Sequence, residues 1–158
     1  MNAVADTPLS PRIVVLWRLG WVLAVAILLI PTLLVAALAT DLPAWSRALL
    51  VLAVVGGGVA GTVVVPPAAY QRWRYGMGAD GVEIRHGLFV RHESSIPHFR
   101  VQHIDLQQGP LDRWRGIVKL SISTASPASD AVLPGIEPER AEALRTQILA
   151  RAEADDGV

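Results

Sequence analysis

Four histidines, His86, His92, His98 and His103, fall within one short stretch of a 158-residue chain. Neutral imidazole is a common zinc ligand, and zinc sites usually draw ligands in close pairs from one element or turn. Here the gaps are 6, 6 and 5 residues, with no His-x-His or His-x-x-x-His pair. That spacing fits separate strand and turn positions better than a metal site, so no metal ligand is assigned. Cysteine is absent, which excludes thiolate chemistry, disulfides and cysteine-held metal. His103 and Asp105 form a second candidate set with Ser121 or Ser123, because alternate residues of a strand share a face. A carboxylate, an imidazole and a hydroxyl are the parts of acyl transfer, yet neither a nucleophile elbow nor an oxyanion loop accompanies them. No catalytic residue and no cofactor are assigned, and an enzyme is only a remote alternative.

Charge offers a different chemistry. Arg72, Arg74, Arg85, Arg91, Arg100, Arg113, Arg115 and Lys119 form a basic set, and Arg72 and Arg74 directly follow a long uncharged run. A basic group beside an anionic membrane leaflet contributes about 1 kcal/mol to its attraction. Arg72 and Arg74 are therefore candidates for membrane-surface contact, besides marking topology. Glu83, Glu93, Asp105 and Asp112 interleave with the other basic residues, which reads as a solvated sheet face. Gln102, Gln107, Gln108 and Arg113 flank Gly109-Pro110 and are the candidate interaction segment, polar groups that can also fix a turn through backbone hydrogen bonds. Net charge is zero, so nothing points to nucleic acid.

These residues need elements to position them, and the charge distribution divides the chain. Leu19–Thr40 and Ala48–Gln71 carry no charge at all. A bilayer core about 30 Å thick requires roughly 20 apolar helical residues, and lipid forces the backbone to satisfy its own hydrogen bonds. Two transmembrane helices over about 19–40 and 48–71 follow, within a membrane region of 16–71 preceded by a tail at 1–15. Asp41–Arg47 is a short connector broken at Pro43, so the spans form a hairpin. Trp17, Trp21, Trp45, Tyr70, Trp73 and Tyr75 mark the interfaces. Arg12, Arg18, Arg72 and Arg74 flank the outer ends, whereas Arg47 stands alone in the connector. That bias places both termini in the cytoplasm. Pro31 is expected to kink the first helix. Gly57 and Gly61 form a small-residue motif, opposite Gly20 and Ala24, for helix packing within the hairpin or between copies. Neither span holds an ionisable residue, which argues against a transporter or channel. Ala37-Leu38-Ala39 looks like a signal cleavage site, but the apolar run before it exceeds the usual ~7–15 residues.

From Gln71 onward the pattern becomes short alternating stretches. Strands are expected over Gln71–Met77, Val82–Arg85, Leu88–Ile96, Val101–Gln107, Val118–Ser123 and Ala131–Leu133. Ala79-Asp80-Gly81 and Gly87 are turns, a bulge falls near His103, a helical turn falls within Gly109–Trp114, residues 125–130 are a polar loop, and Pro134-Gly135 closes the last strand. Pro138 suits the first position of a final helix, whose Ala141, Leu144 and Ile148 make one apolar stripe. Six or seven strands and one helix suit an α+β, mainly β, domain over 72–152, with bent antiparallel sheets or a partly open barrel capped by the helix. Residues 153–158 are expected to be a disordered tail.

The runs Arg72-Trp73-Arg74-Tyr75, Asp80–Leu88, Ile96-Pro97-His98-Phe99-Arg100-Val101-Gln102-His103-Ile104-Asp105, Gln108–Arg113 and Leu133-Pro134-Gly135-Ile136 resemble the YdbS-like bacterial PH-domain membrane proteins. That resemblance implies a pleckstrin-homology-like (PH-like) fold behind two membrane spans, in a bacterial inner membrane. It also implies an interaction or scaffolding role, with a second PH-domain membrane protein or a homo-oligomer as partner besides the lipid bilayer. Sensing of anionic lipid at the cytoplasmic face is the alternative.

Overall fold

The computed structural model describes residues 6–78, 80–125 and 130–155. Helix α1 spans Ile13–Leu38 and α2 spans Ala44–Arg72. At about 1.5 Å per residue these are roughly 39 and 44 Å long, more than a bilayer core requires. Both are apolar enough to cross a membrane and bury almost none of their side chains within the protein. Leu23, Ile27, Ile30, Leu34, Leu52 and Val64 all stand exposed. A helix of a water-soluble core would bury that face, whereas lipid solvates it at no cost. α1 continues through Pro31, and Thr32 donates its hydroxyl to the Leu28 carbonyl at 2.8 Å. The connector shortens to residues 39–43, because α2 already begins after Pro43.

Residues 14–68 form one compact unit. Within it the close approach uses Gly58 and Gly61. A Cβ built on Gly58 would lie 2.6 Å from Val25 Cγ2, and one on Gly61 would lie 2.8 Å from the Trp21 ring. Gly57 and Gly20 have open space where a Cβ would go, so Gly58 takes the packing place expected of Gly57. Val25 and Trp21 are large, and they need the missing side chains of their neighbours. Gly58→Leu should therefore destabilise the hairpin by about 1–3 kcal/mol, the usual range for overpacking, while Gly57→Leu should be near neutral. Unfolding of the full chain by titrated SDS in mixed micelles measures the difference.

The second unit comprises residues 69 onward together with the described residues 6–13. Strands β1 (Arg74–Met77), β2 (Gly81–His86) and β3 (His92–Pro97) make one antiparallel sheet in that order. Strands β4 (Val101–Gln107), β5 (Val118–Thr124) and β6 (Ala131–Ile136) make the other. A 3-10 turn at His98–Arg100 joins the sheets, and α3 (Pro110–Arg115) fills the β4–β5 connection. Helix α4 (Pro138–Asp155) packs against the 3-10 turn and strands β4 and β5. Val82, Ile84, Ile96, Leu120, Ile122 and Leu133 point inward from the strands, and Ala141, Leu144 and Ile148 complete the core from α4. Two small sheets closed by one helix is the PH-like arrangement. β5 alternates as its sequence suggests, and the bulge appears as a register shift between Val101 and His103.

Four boundaries move, each for a local reason. α2 runs on to Arg72, so β1 begins at Arg74. β3 starts only at His92, because Gly87 adopts φ +121 and turns the chain outward ahead of it. β6 passes through Pro134-Gly135, where an edge strand tolerates proline and Gly135 takes φ +70. α4 reaches Asp155, since Ala152, Glu153 and Ala154 offer no helix breaker. Ala79 of the first turn, residues 126–129 of the polar loop and the terminal 156–158 lie outside the described residues.

Residues 6–12, part of the stretch expected as a tail, are built into this unit. Thr7 and Tyr75 exchange backbone hydrogen bonds of 3.0 and 2.9 Å, extending the first sheet by one antiparallel bridge. The Ser10 N–H donates to the Gly135 carbonyl at 2.9 Å, and Tyr70 donates its hydroxyl to the Leu9 carbonyl. Leu9 and Ile13 are buried. A Cβ on Gly135 would sit 2.7 Å from that of Ile13, so the strap and the glycine fit one another. The chain thus contributes to one domain both before α1 and after α2, which requires an even number of membrane crossings.

Candidate functional site

β1 and β2 pair so that Arg74 stands directly opposite Arg85. Side chains in such register share a face, and like charges there repel. Arg72, at the end of α2, and Arg91, at the start of the chain's return into β3, bring two more guanidinium groups to the same place. Together with Asp6, His86, Gly87, Leu88 and Phe89 these four arginines line a cleft of about 420 Å³. Arg91 pairs with Glu93 at 2.6 Å, and Arg85 contacts Glu93 at 3.4 Å and Glu83 at 3.5 Å. Arg72 instead donates to the Leu88 carbonyl, and Arg74 to the Trp73 carbonyl at 2.6 Å. Those two bonds hold the guanidinium groups in position, and among the described residues neither forms an ion pair, although the Asp6 carboxylate lines the same cleft. Each guanidinium carries five donors in a planar fork suited to phosphate oxygens.

His86, one of the residues lining the cleft, belongs to an aromatic stack. Trp73 stacks on His86 with ring centroids 4.5 Å apart, and His86 stacks on its cross-strand partner His92 at 5.3 Å. Burial, with the neighbouring His92 adding to it, pushes the His86 pKa below the ordinary imidazole value of 6.5. The neutral ring is thus the form the folded domain prefers, and the stability it lends is present above pH 6.5 and lost as pH falls through the lowered pKa. Titration of the full chain followed by the His86 ring NMR signals should give a midpoint below the ordinary imidazole value of 6.5.

The other sequence-selected residues lie elsewhere. His98 is buried, with Nε2 3.4 Å from the Gly78 carbonyl, and serves the packing beneath α4. His103 bonds Asp105 at 2.9 Å on the exposed face of β4, with Ser123 and Ser121 opposite them in register. The four do share a face, yet among the described residues no hydrogen bond links either serine to the imidazole. Gln102 occupies the bulge, Gln107 pairs across from Lys119, and Gln108 donates to the Ile117 carbonyl at 3.0 Å, fixing the α3 turn. Arg113 lies exposed on α3, whose buried Asp112 accepts the Gly109 N–H at 3.1 Å. Arg72 and Arg74 therefore meet Arg85 and Arg91, while Gln102, Gln107, Gln108 and Arg113 belong to the second sheet and α3. Asp6 and Phe89 had no signal in the sequence, because only the folded strap and the Gly87 turn bring them to the cleft.

Two membrane-length helices and a PH-like domain define a membrane-anchored PH-type module. The bacterial PH domain family model matches residues 12–152, and the chain belongs to that family. It is also similar to the UPF0699 transmembrane protein YdbS of Bacillus subtilis (strain 168), with 32% identity over 160 residues that cover 99% of each chain. No solved structure matches it.

Proposed function

We propose that this membrane protein is a bacterial inner-membrane module that holds the phosphate of an anionic lipid headgroup in the arginine cleft, on the cytoplasmic side. The observation carrying this reading is the convergence of Arg72, Arg74, Arg85 and Arg91 on one cleft, where four guanidinium groups face the single carboxylate of Asp6 and Arg72 and Arg74 form no ion pair among the described residues. Arg72 is the last residue of α2, so covalent connectivity alone keeps the site within a few residues of the apolar run. The excess of arginine at the outer ends of the hairpin supports a cytoplasmic face. Titration of the full chain in neutral detergent with fluorescent phosphatidylglycerol tests the reading. Saturable binding tighter than that of phosphatidylcholine is expected, with soluble glycerol phosphate competing only weakly. Equal uptake of the two lipids would sink it, and full competition by glycerol phosphate would assign the cleft to a soluble ligand.

A second reading, contact with a partner protein, draws on α3. Leu111 and Trp114 stand exposed three residues apart on this short helix, beside Arg113, and the Arg115 guanidinium lies 5.1 Å from the Trp114 ring centroid. Exposed aromatic residues beside arginine are common interface anchors. Trp114→Ala should abolish any partner crosslink formed in native membranes, and an unchanged crosslink pattern would exclude this face.

A further inference from the structure

The β2–β3 connection ends in three apolar residues, Leu88-Phe89-Val90, at the rim of the arginine cleft. Phe89 is 96% exposed and Val90 is 65% exposed, more than most apolar residues of the transmembrane helices themselves. A domain of this size gains nothing in water by presenting a phenylalanine so completely. The display is nevertheless built in. Gly87 turns the chain at φ +121, and a Cβ there would meet the Val90 carbonyl oxygen at 1.8 Å, so only glycine allows this tight tip. Arg72 fixes its other flank by donating to the Leu88 carbonyl. That bond ties the tip to the residue with which α2 ends, and chain connectivity keeps that residue directly after the apolar run. Arg91 follows the tip at once and lines the same cleft. Apolar side chains flanked by arginines suit the boundary between acyl chains and headgroups, where each part finds its own solvent.

We infer that Leu88-Phe89-Val90 is a membrane wedge, inserted among the acyl chains of the leaflet whose headgroup phosphates the neighbouring arginines hold. The inference rests on the headgroup reading for its choice of lipid, but insertion and headgroup binding are separable. Membrane insertion of the tip would make recognition depend on two features at once, an anionic headgroup and a surface that admits the wedge. A soluble phosphate compound would then satisfy only half of the site.

The chain has no cysteine, so a single introduced cysteine can carry a fluorophore at one place. The full-length protein with Phe89→Cys, Val90→Cys or the exposed control Lys119→Cys is labelled and reconstituted in vesicles carrying a quencher on the lipid acyl chain. In vesicles containing phosphatidylglycerol, labels at 89 and 90 should be quenched several-fold more strongly than the label at 119. Gly87→Ala combined with the Val90 label should lose that excess. Quenching at 89 and 90 that is equal in phosphatidylcholine and phosphatidylglycerol vesicles would support insertion while overturning the headgroup reading. Absence of quenching at both positions, with phosphatidylglycerol still bound, would overturn the wedge and leave the arginine cleft standing. The Val90 label decides the matter if Phe89→Cys does not fold.

Discussion

Replacing Arg72 and Arg74 together with glutamine is expected to weaken phosphatidylglycerol binding by the full-length protein about 30-fold. Two basic groups at about 1 kcal/mol each give that factor, at roughly 1.4 kcal/mol per tenfold. This pair is chosen over Arg85 and Arg91 on geometry. Arg85 and Arg91 already share Glu83 and Glu93, so part of their charge is neutralised in the folded domain. Arg72 and Arg74 are held by backbone carbonyls, which position them, and neither forms an ion pair among the described residues. Arg91→Gln should accordingly cost less than either of them. Arg145→Gln, on the outer side of α4 and paired with Glu142 at 3.7 Å, should leave binding unchanged. Added salt should shrink the difference between wild type and the double variant, because exposed charges are screened over about 10 Å at 0.1 M. The lipid titration reads all of these, and a double variant that binds as wild type would remove the cleft from the account.

The largest effect on stability is expected from Leu120→Ala. Leu120 is fully buried in β5, the central strand of its sheet, where it pairs with Leu106 on one side and Leu133 on the other. Truncation there loses the transfer free energy of the removed atoms and leaves a cavity between the two neighbouring strands. Comparable substitutions cost about 2–5 kcal/mol. For a domain of this size each kcal/mol lowers the melting temperature by roughly 4–8 °C. A fall of more than about 10 °C in the detergent-solubilised chain is therefore expected for that transition. Lys119→Ala, one residue away on the outer face, should change stability by no more than about 0.5 kcal/mol. Equal losses at 119 and 120 would contradict the assigned register.

Much of this architecture is legible in the residues themselves, because its signals are large and local. Two uncharged runs longer than a bilayer is thick leave few alternatives for Leu19–Thr40 and Ala48–Gln71. The alternation of Val118, Leu120 and Ile122 gives a strand and its inward face together. Ala141, Leu144 and Ile148 likewise mark the buried side of α4. What escaped was whatever depends on contacts distant in sequence. Gly87 reads as a turn, but Leu88-Phe89-Val90 has the composition of a buried strand, and nothing local shows that the turn leads it into solvent. Thr7, Leu9 and Ser10 have no periodicity, yet Tyr75, Tyr70 and Gly135 supply their partners from the end of the hairpin and beyond it in sequence. The same limit applied to the site. Arg72 and Arg74 stood out by their place after an apolar run, but the alignment of Arg74 with Arg85 is a matter of strand register. Gly58 displaced Gly57 for a related reason, since rotation of one helix against another is set by Val25 and Trp21.

The proposed selectivity is for an anionic phospholipid held by the cleft of arginines at the end of the second span. Native mass spectrometry of the full-length chain, released from nanodiscs of equimolar phosphatidylglycerol and phosphatidylcholine, addresses it directly. The wild-type protein should retain phosphatidylglycerol in clear preference, and the Arg72→Gln, Arg74→Gln double variant should retain neither lipid preferentially. An identical lipid profile in the two proteins would contradict the claim.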